Sequence, residues 1–218
     1  MKRIRVVGLL VLFCILLNSN IYARYTKVGV SAVQDKVSKD YKGRVVIFVG
    51  DSRTMHQSSV NTKGSAYAWV NGGGVGVISK GSLKSKLVKL LKKYKGRCIV
   101  IFNLGVNGNG NPKKNAKRLI NTYNRYIKEY KNIDFYIESV NPTAKSRTSY
   151  RDSNVKVVNK ILKREFKDRF IDTYSYLVDN KIVDTKTGKG TRDRLHYKSS
   201  VSRKIEKYVK NIVLSKGA

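Results

Sequence analysis

The sequence predicts an α/β protein built on a parallel sheet with helices on both faces, and three observations carry that prediction. Short apolar runs alternate along the chain with segments of helical periodicity, the order expected of strand–helix–strand units. The clearest runs are apolar throughout rather than at every second position, as in strands buried on both faces. Glycine, asparagine and serine gather just past the ends of those runs, where open α/β sheets hold their ligands.

The first run is Val45-Val46-Ile47-Phe48-Val49, closed by Gly50, and the second is Cys98-Ile99-Val100-Ile101-Phe102, leading into Asn103-Leu104-Gly105. A third spans Ile133 to Val140, where Asp134 and Glu138 weaken the pattern, and ends at Asn141-Pro142. Phe170-Ile171 is a fourth, short run. Between and after them, Leu83, Leu87, Leu90 and Leu91 share one helical face, with lysines on the others. Ala116, Leu119, Ile120, Tyr123 and Ile127 mark a second helix opened by Asn111-Pro112, proline being suited to a first helical turn. Val155, Val158, Ile161, Leu162 and Phe166 mark a third, and Val201, Ile205, Tyr208, Val209, Ile212 and Val213 a C-terminal fourth.

A chain of 218 residues accommodates one ordinary domain, and its 41% hydrophobic share excludes wholesale disorder. Three segments are expected: a signal peptide (or N-terminal anchor) over 1–23, an irregular lead-in over 24–43, and the folded domain over 44–218. The signal reading rests on Lys2, Arg3 and Arg5 ahead of the apolar stretch Val6 to Leu17, with Ala23 at a plausible cleavage site. Twelve apolar residues are short of the roughly 20 that span a bilayer. A secreted or cell-surface location is therefore expected. Cys14 falls inside the stretch that would be removed, which leaves Cys98 alone in an apolar run as a buried, inert thiol without an internal disulfide partner.

Lys and Arg number 46 against 14 Asp and Glu, a formal net charge of +32. Such a field acts over roughly a Debye length, about 8 Å at physiological salt, and draws polyanions. Export disfavours nucleic acid as the partner, as do lysines scattered over every segment and the lack of a nucleic-acid-binding motif. An anionic cell-wall polymer is the simplest counter-charge.

Chemistry concentrates at four places. Gly50-Asp51-Ser52-Arg53 puts a serine directly after a buried strand, where it can open a helix and offer its unpaired backbone N–H to an oxyanion. A serine nucleophile needs a base, and the chain holds two histidines. His56, four residues past Ser52, reads as an ordinary helix histidine. His196 closes Asp193-Arg194-Leu195-His196 just ahead of the last helix, and an aspartate three residues earlier can accept its Nδ1–H, leaving Nε2 as a base. Asn107, just beyond the second run, carries a side-chain amide that could donate to an oxyanion, although a turn residue would look the same. The patch Asn71-Gly72-Gly73-Gly74-Val75-Gly76 permits close backbone approach to a ligand, and without a following GK[ST] it is not a phosphate-binding loop. Tyr67, Trp69 and Tyr150 could stack on sugars, with core packing the competing reading for each.

In combination and order, GDS at 50–52, a glycine patch, GxN at 105–107 and DxxH at 193–196 resemble the SGNH hydrolases, also called the GDSL family, from about Val45 to the C-terminus. The GxSxG signature of the α/β-hydrolases does not occur in the chain. The resemblance implies a three-layer α/β/α sandwich around a flavodoxin-like five-stranded parallel sheet. It also implies Ser52 as nucleophile, His196 as base and Asp193 as its orienting partner. The Ser52 N–H, a glycine N–H of the patch (Gly74 is the choice made here) and the Asn107 side chain would form the oxyanion hole. The sequence departs from the family pattern twice, with Arg53 where the original motif has leucine and Gly108 where aspartate is frequent after the asparagine. The implied activity is a secreted serine esterase that needs no metal or organic cofactor, removing acetyl groups from a polysaccharide or from peptidoglycan. An acylated carbohydrate or other small ester is then the expected substrate. A non-catalytic cell-wall or polyanion binder on the same scaffold is the alternative.

Overall fold

The computed structural model describes residues 28–32, 43–60, 62–94, 96–145 and 150–216. The segment read as a signal peptide lies outside them. Among the described residues six strands form one sheet: β1 (Val28–Ala32), β2 (Val45–Gly50), β3 (Ser65–Val70), β4 (Cys98–Asn103), β5 (Asp134–Glu138) and β6 (Phe170–Ile171). Their order is β1-β3-β2-β4-β5-β6. From β3 to β6 every pairing is parallel, so a five-stranded parallel sheet of flavodoxin-like order is present, as expected.

Helices cover both faces: α1 (Ser52–Ser58), α2 (Gly76–Ser79), α3 (Ser82–Tyr94), α4 (Pro112–Glu129), α5 (Asp152–Phe166), α6 (Thr173–Asp179) and α7 (Ser199–Ser215). The fully apolar runs explain this layering, because alternate side chains of one strand enter two separate cores. Val45, Ile47 and Val49 pack with Leu87 of α3, Leu119 and Tyr123 of α4 and Leu162 of α5. Val46 and Phe48 face the other way, with Leu177 of α6 and Val201, Ile205 and Val209 of α7. Phe102 at the end of β4 stacks on Tyr123 at 4.5 Å and on Phe135 at 5.6 Å, which keys α4 and β5 to the centre of the sheet. Cys98 is buried, and burial pushes its thiol up to about 11, in keeping with an inert core residue.

Two elements differ from expectation. Within the lead-in read as irregular, Val28–Ala32 forms an antiparallel strand, Val28 facing Val70 and Ala32 facing Ala66. The segment Ser-Ala-Tyr-Ala-Trp-Val, whose strand character is not apparent from its small residues, is β3. With β1 on its outer side, β3 lies inside the sheet, and Tyr67 is fully buried as a core residue rather than a sugar platform. Trp69 is partly buried and packs against the same core.

Candidate active site

The carboxyl ends of β2, β4 and β5 meet at one edge of the sheet, where Ser52, Asn107, Asp193 and His196 gather beside Gly74. Asp51 follows β2 with extended backbone and caps α1, its Oδ1 accepting the Arg53 N–H at 2.9 Å. Ser52 is thereby the first residue of α1, 6% exposed, with a backbone N–H that has no acceptor within its own helix. The helix that presents the serine is set by two adjacent residues, a glycine that ends a strand and an aspartate that caps.

Asp193 to His196 forms a tight turn in which Arg194 adopts a left-handed conformation, φ 68°. Asp193 Oδ1 accepts the N–H groups of Leu195 at 3.1 Å and His196 at 2.7 Å, so the aspartate shapes the turn that carries the histidine. Its other oxygen lies 2.9 Å from His196 Nδ1. His196 Nε2 lies 2.9 Å from Ser52 Oγ. With a carboxylate facing Nδ1, that nitrogen carries the proton and Nε2 is left to accept one from the serine. Burial alone would raise the Asp193 carboxyl. The hydrogen bonds from the His196 amide and ring and the Leu195 amide outweigh it and hold the group well below the usual carboxylate range.

Asn107 follows β4 and turns into the site. Its Nδ2 donates to Gly73 O at 3.1 Å and, more weakly, to Asp51 Oδ2 at 3.3 Å. Tyr150 donates to Asn107 Oδ1 at 3.4 Å, which places this tyrosine beside the asparagine. Gly74 adjoins them, with the Asn107 carbonyl 3.8 Å from where a Cβ would stand. Gly108, at φ 88°, follows in a conformation that favours glycine. Asp51 is buried, and desolvation raises its carboxyl despite the Arg53 charge and N–H and the nearby His196.

Three contacts escaped the sequence reading. The His56 ring sits 4.6 Å from the His196 ring at an interplanar angle of 55°, so it is a neighbour of the candidate base and not a plain helix histidine. Its position one helical turn after Ser52 is the signal that could have placed it there. Burial lowers the His56 pKa, and the charges of His196 and Arg192 lower it further. Asp51 touches Asn107 directly, and Arg53 reaches the loop ahead of His196. Neither contact has a local sequence signature, because both join segments far apart in the chain.

Beside Gly74 and Asn107 opens a cleft of about 560 Å³, whose charged lining is Lys80, Lys114 and Arg118 with no carboxylate among its residues. Among the described residues no cluster of three or more His, Cys, Asp or Glu side chains could hold a metal ion.

No protein-family model and no curated protein sequence matches the chain. Solved structures do match it in fold. A GDSL-like lipase from Bacteroides thetaiotaomicron superposes with a TM-score of 0.60 at 15% identity, over 85% of this chain and 93% of that one. An acetylxylan esterase from Geobacillus stearothermophilus, solved as a catalytic mutant, gives 0.52 at 14% identity over 83% and 96%. The C-terminal catalytic domain of a Streptococcus pneumoniae peptidoglycan O-acetyltransferase gives 0.53 at 12% identity over 79% and 93%. The chain therefore has the fold of the SGNH, or GDSL, hydrolases, the family that its GDS, GxN and DxxH segments resemble.

Proposed function

We propose that this chain is a secreted serine esterase of the SGNH family that removes acetyl groups from a polysaccharide or from peptidoglycan. The observation that carries the reading is the continuous relay from Asp193 through His196 to Ser52, with 2.9 Å at each of its two links, at the carboxyl edge of the sheet. In this reading Ser52 Oγ attacks the ester carbonyl as His196 Nε2 takes its proton. The tetrahedral oxyanion is held by the N–H groups of Ser52 and Gly74 and by Asn107 Nδ2. The longer Asn107 contact, to Asp51, is the one it replaces. His196 then returns the proton to the leaving alcohol, and a water activated by the same imidazole releases the acid and frees Ser52.

The substrate class draws on two supports. The fold neighbours named above include an acetylxylan esterase and a peptidoglycan O-acetyltransferase. The cleft next to Asn107 and Gly74 presents Lys80, Lys114 and Arg118, a lining suited to an ester on an anionic polymer. The test is acetate release from p-nitrophenyl acetate and from O-acetylated xylan and peptidoglycan, comparing the natural sequence with Ser52→Ala and His196→Ala. Hydrolysis that drops by at least ~10³-fold in both folded variants is the expected result. A chain that binds wall polymer but turns over none of these esters would replace this reading with the non-catalytic binder.

A further inference from the structure

Arg53 is 5% exposed, and each of its three guanidinium nitrogens donates to a carbonyl of a segment distant in sequence. Nε donates to Leu195 O at 3.1 Å, one terminal nitrogen to Asn141 O at 2.7 Å and the other to Pro142 O at 3.1 Å. Its Cζ lies 5.0 Å from the centre of the Tyr197 ring, and the Tyr197 hydroxyl donates to the same Pro142 carbonyl at 2.5 Å. Leu195 and Tyr197 are the two residues that flank His196, while Arg53 itself follows Ser52. One side chain thus joins the neighbour of the candidate nucleophile to both neighbours of the candidate base.

A merely space-filling role fits this arrangement poorly. A buried guanidinium is costly unless it is hydrogen-bonded, and here its acceptors are the neutral carbonyls of Leu195, Asn141 and Pro142, with the Asp51 and Glu138 carboxylates acting on it only through space. The leucine of the original family motif would fill an apolar slot without that desolvation. What leucine lacks is the planar fork, which addresses three carbonyls on two loops at once. The two loops are also pinned to each other, since Arg194 O accepts from the Ala144 N–H at 2.9 Å and from Thr143 Oγ1 at 3.2 Å, so a pull on one is felt by the other.

We infer that Arg53 is a positioning residue: its fork fixes the His196 turn and the Asn141-Pro142 loop against the start of α1, and so sets the Ser52–His196 separation. The inference rests on the esterase reading for its kinetic consequence and on geometry alone for its structural one. The relay tolerates little slack, because a misplacement of about 1 Å at reacting groups costs on the order of 10²-fold in rate.

The experiment compares the full chain with Arg53→Ala, Arg53→Leu and Arg53→Lys on p-nitrophenyl acetate. Expected is a kcat lower by roughly 30- to 100-fold in all three with KM within about 3-fold, since all three lose the fork and the charge that lysine keeps does not replace it. Guanidinium ion at about 10 mM should restore Arg53→Ala by several-fold and leave Arg53→Leu unchanged, because only alanine leaves room for it. A folded Arg53→Leu or Arg53→Lys with kcat within about 3-fold of the natural chain would overturn the inference, as would a loss confined to KM. If Arg53→Ala does not fold, Arg53→Lys carries the kinetic comparison. If the natural chain proves inactive, the esterase reading fails on its own. The inference is then decided by NMR: the His196 Nδ1–H resonance should shift and broaden in Arg53→Lys, and an unchanged resonance would sink it.

Discussion

The two edges of the sheet solve the problem of buried charge in opposite ways. At the amino-terminal edge, Glu206 of α7 is fully buried and fully met. It accepts from Thr62, from Ser65 at 2.6 Å and from Tyr67 at 2.8 Å, and it pairs with Lys210 at 2.9 Å. Lys210 completes the cluster by donating to Lys63 O at 3.1 Å. Charge meets opposite charge there, and the result ties α7 to the start of β3. At the carboxyl-terminal edge, the Arg53 cation is turned towards carbonyls while two carboxylates, Asp51 and Glu138, stay buried with raised pKa values. Stability alone favours the first arrangement. The second makes sense where loops must be held in place for chemistry, and it coincides with the Ser52–His196–Asp193 relay.

The comparison can be broken by mutation. The largest effect belongs to the carboxyl-terminal edge: if the proposed esterase reading holds, Asp193→Asn should lower kcat by about 10³- to 10⁴-fold by favouring the wrong imidazole tautomer, while the thermal midpoint stays close to that of the natural chain. Both quantities come from one preparation, by ester hydrolysis and calorimetry. A midpoint that collapsed along with activity would mean that the aspartate serves the fold first. Glu206→Ala should do the reverse. It removes the carboxylate that faces the buried Lys210 ammonium and should cost about 3–5 kcal/mol of unfolding free energy in urea, with kcat per folded molecule unchanged. Loss of turnover in folded Glu206→Ala would show that the two edges are coupled.

The smallest effect is the most diagnostic of the upper edge. Burial pushes the Glu138 carboxyl up to about 7 from an ordinary 4.5, partly offset by the neighbouring Asn103, Asn141 and Thr173 side chains, of which Asn141 donates to it at 2.7 Å, and by the Arg53 charge. The folded chain therefore holds this proton more tightly than the unfolded chain does. The stabilising contribution is full below about pH 4.5 and is lost as pH rises through about 7. Glu138→Gln should flatten stability across that window and gain on the order of 1–3 kcal/mol at pH 8, read from urea unfolding at a series of pH values. A Gln variant with the pH dependence of the natural chain would exclude Glu138 as its source.

How far the sequence reaches depends on whether the signal is local. The parallel strands β2 and β4 were legible because each is buried on both faces and so is apolar at every position. Gly50-Asp51-Ser52 and Asp193-xx-His196 were legible because their geometry is made within four residues, by a capping aspartate in one case and a shared aspartate carboxylate in the other. β3 was missed since its Ser-Ala-Tyr-Ala pattern lacks the bulk that marks a core strand, and its interior place depends on β1, a segment distant in sequence whose Ala32 pairs with Ala66. Arg53 and His56 stood in plain view as residue types, but their meaning lies in Leu195, Asn141 and His196, which only the folded chain brings near.

The antiparallel course of β1 has a practical outcome for anyone attaching this protein to a surface. Because Val28 faces Val70, one residue past Trp69, which pairs with Gly50, the chain enters the sheet on the same side as Ser52. α7 leaves the His196 loop and runs down to Lys210, beside Thr62 and the opposite edge, so the other end of the domain emerges far from the mouth. A bead or fluorophore coupled at Val28 would stand on the side of the opening, whereas one coupled at Ser215 would stand on the other side. A polymer-bound substrate would feel the first placement and ignore the second.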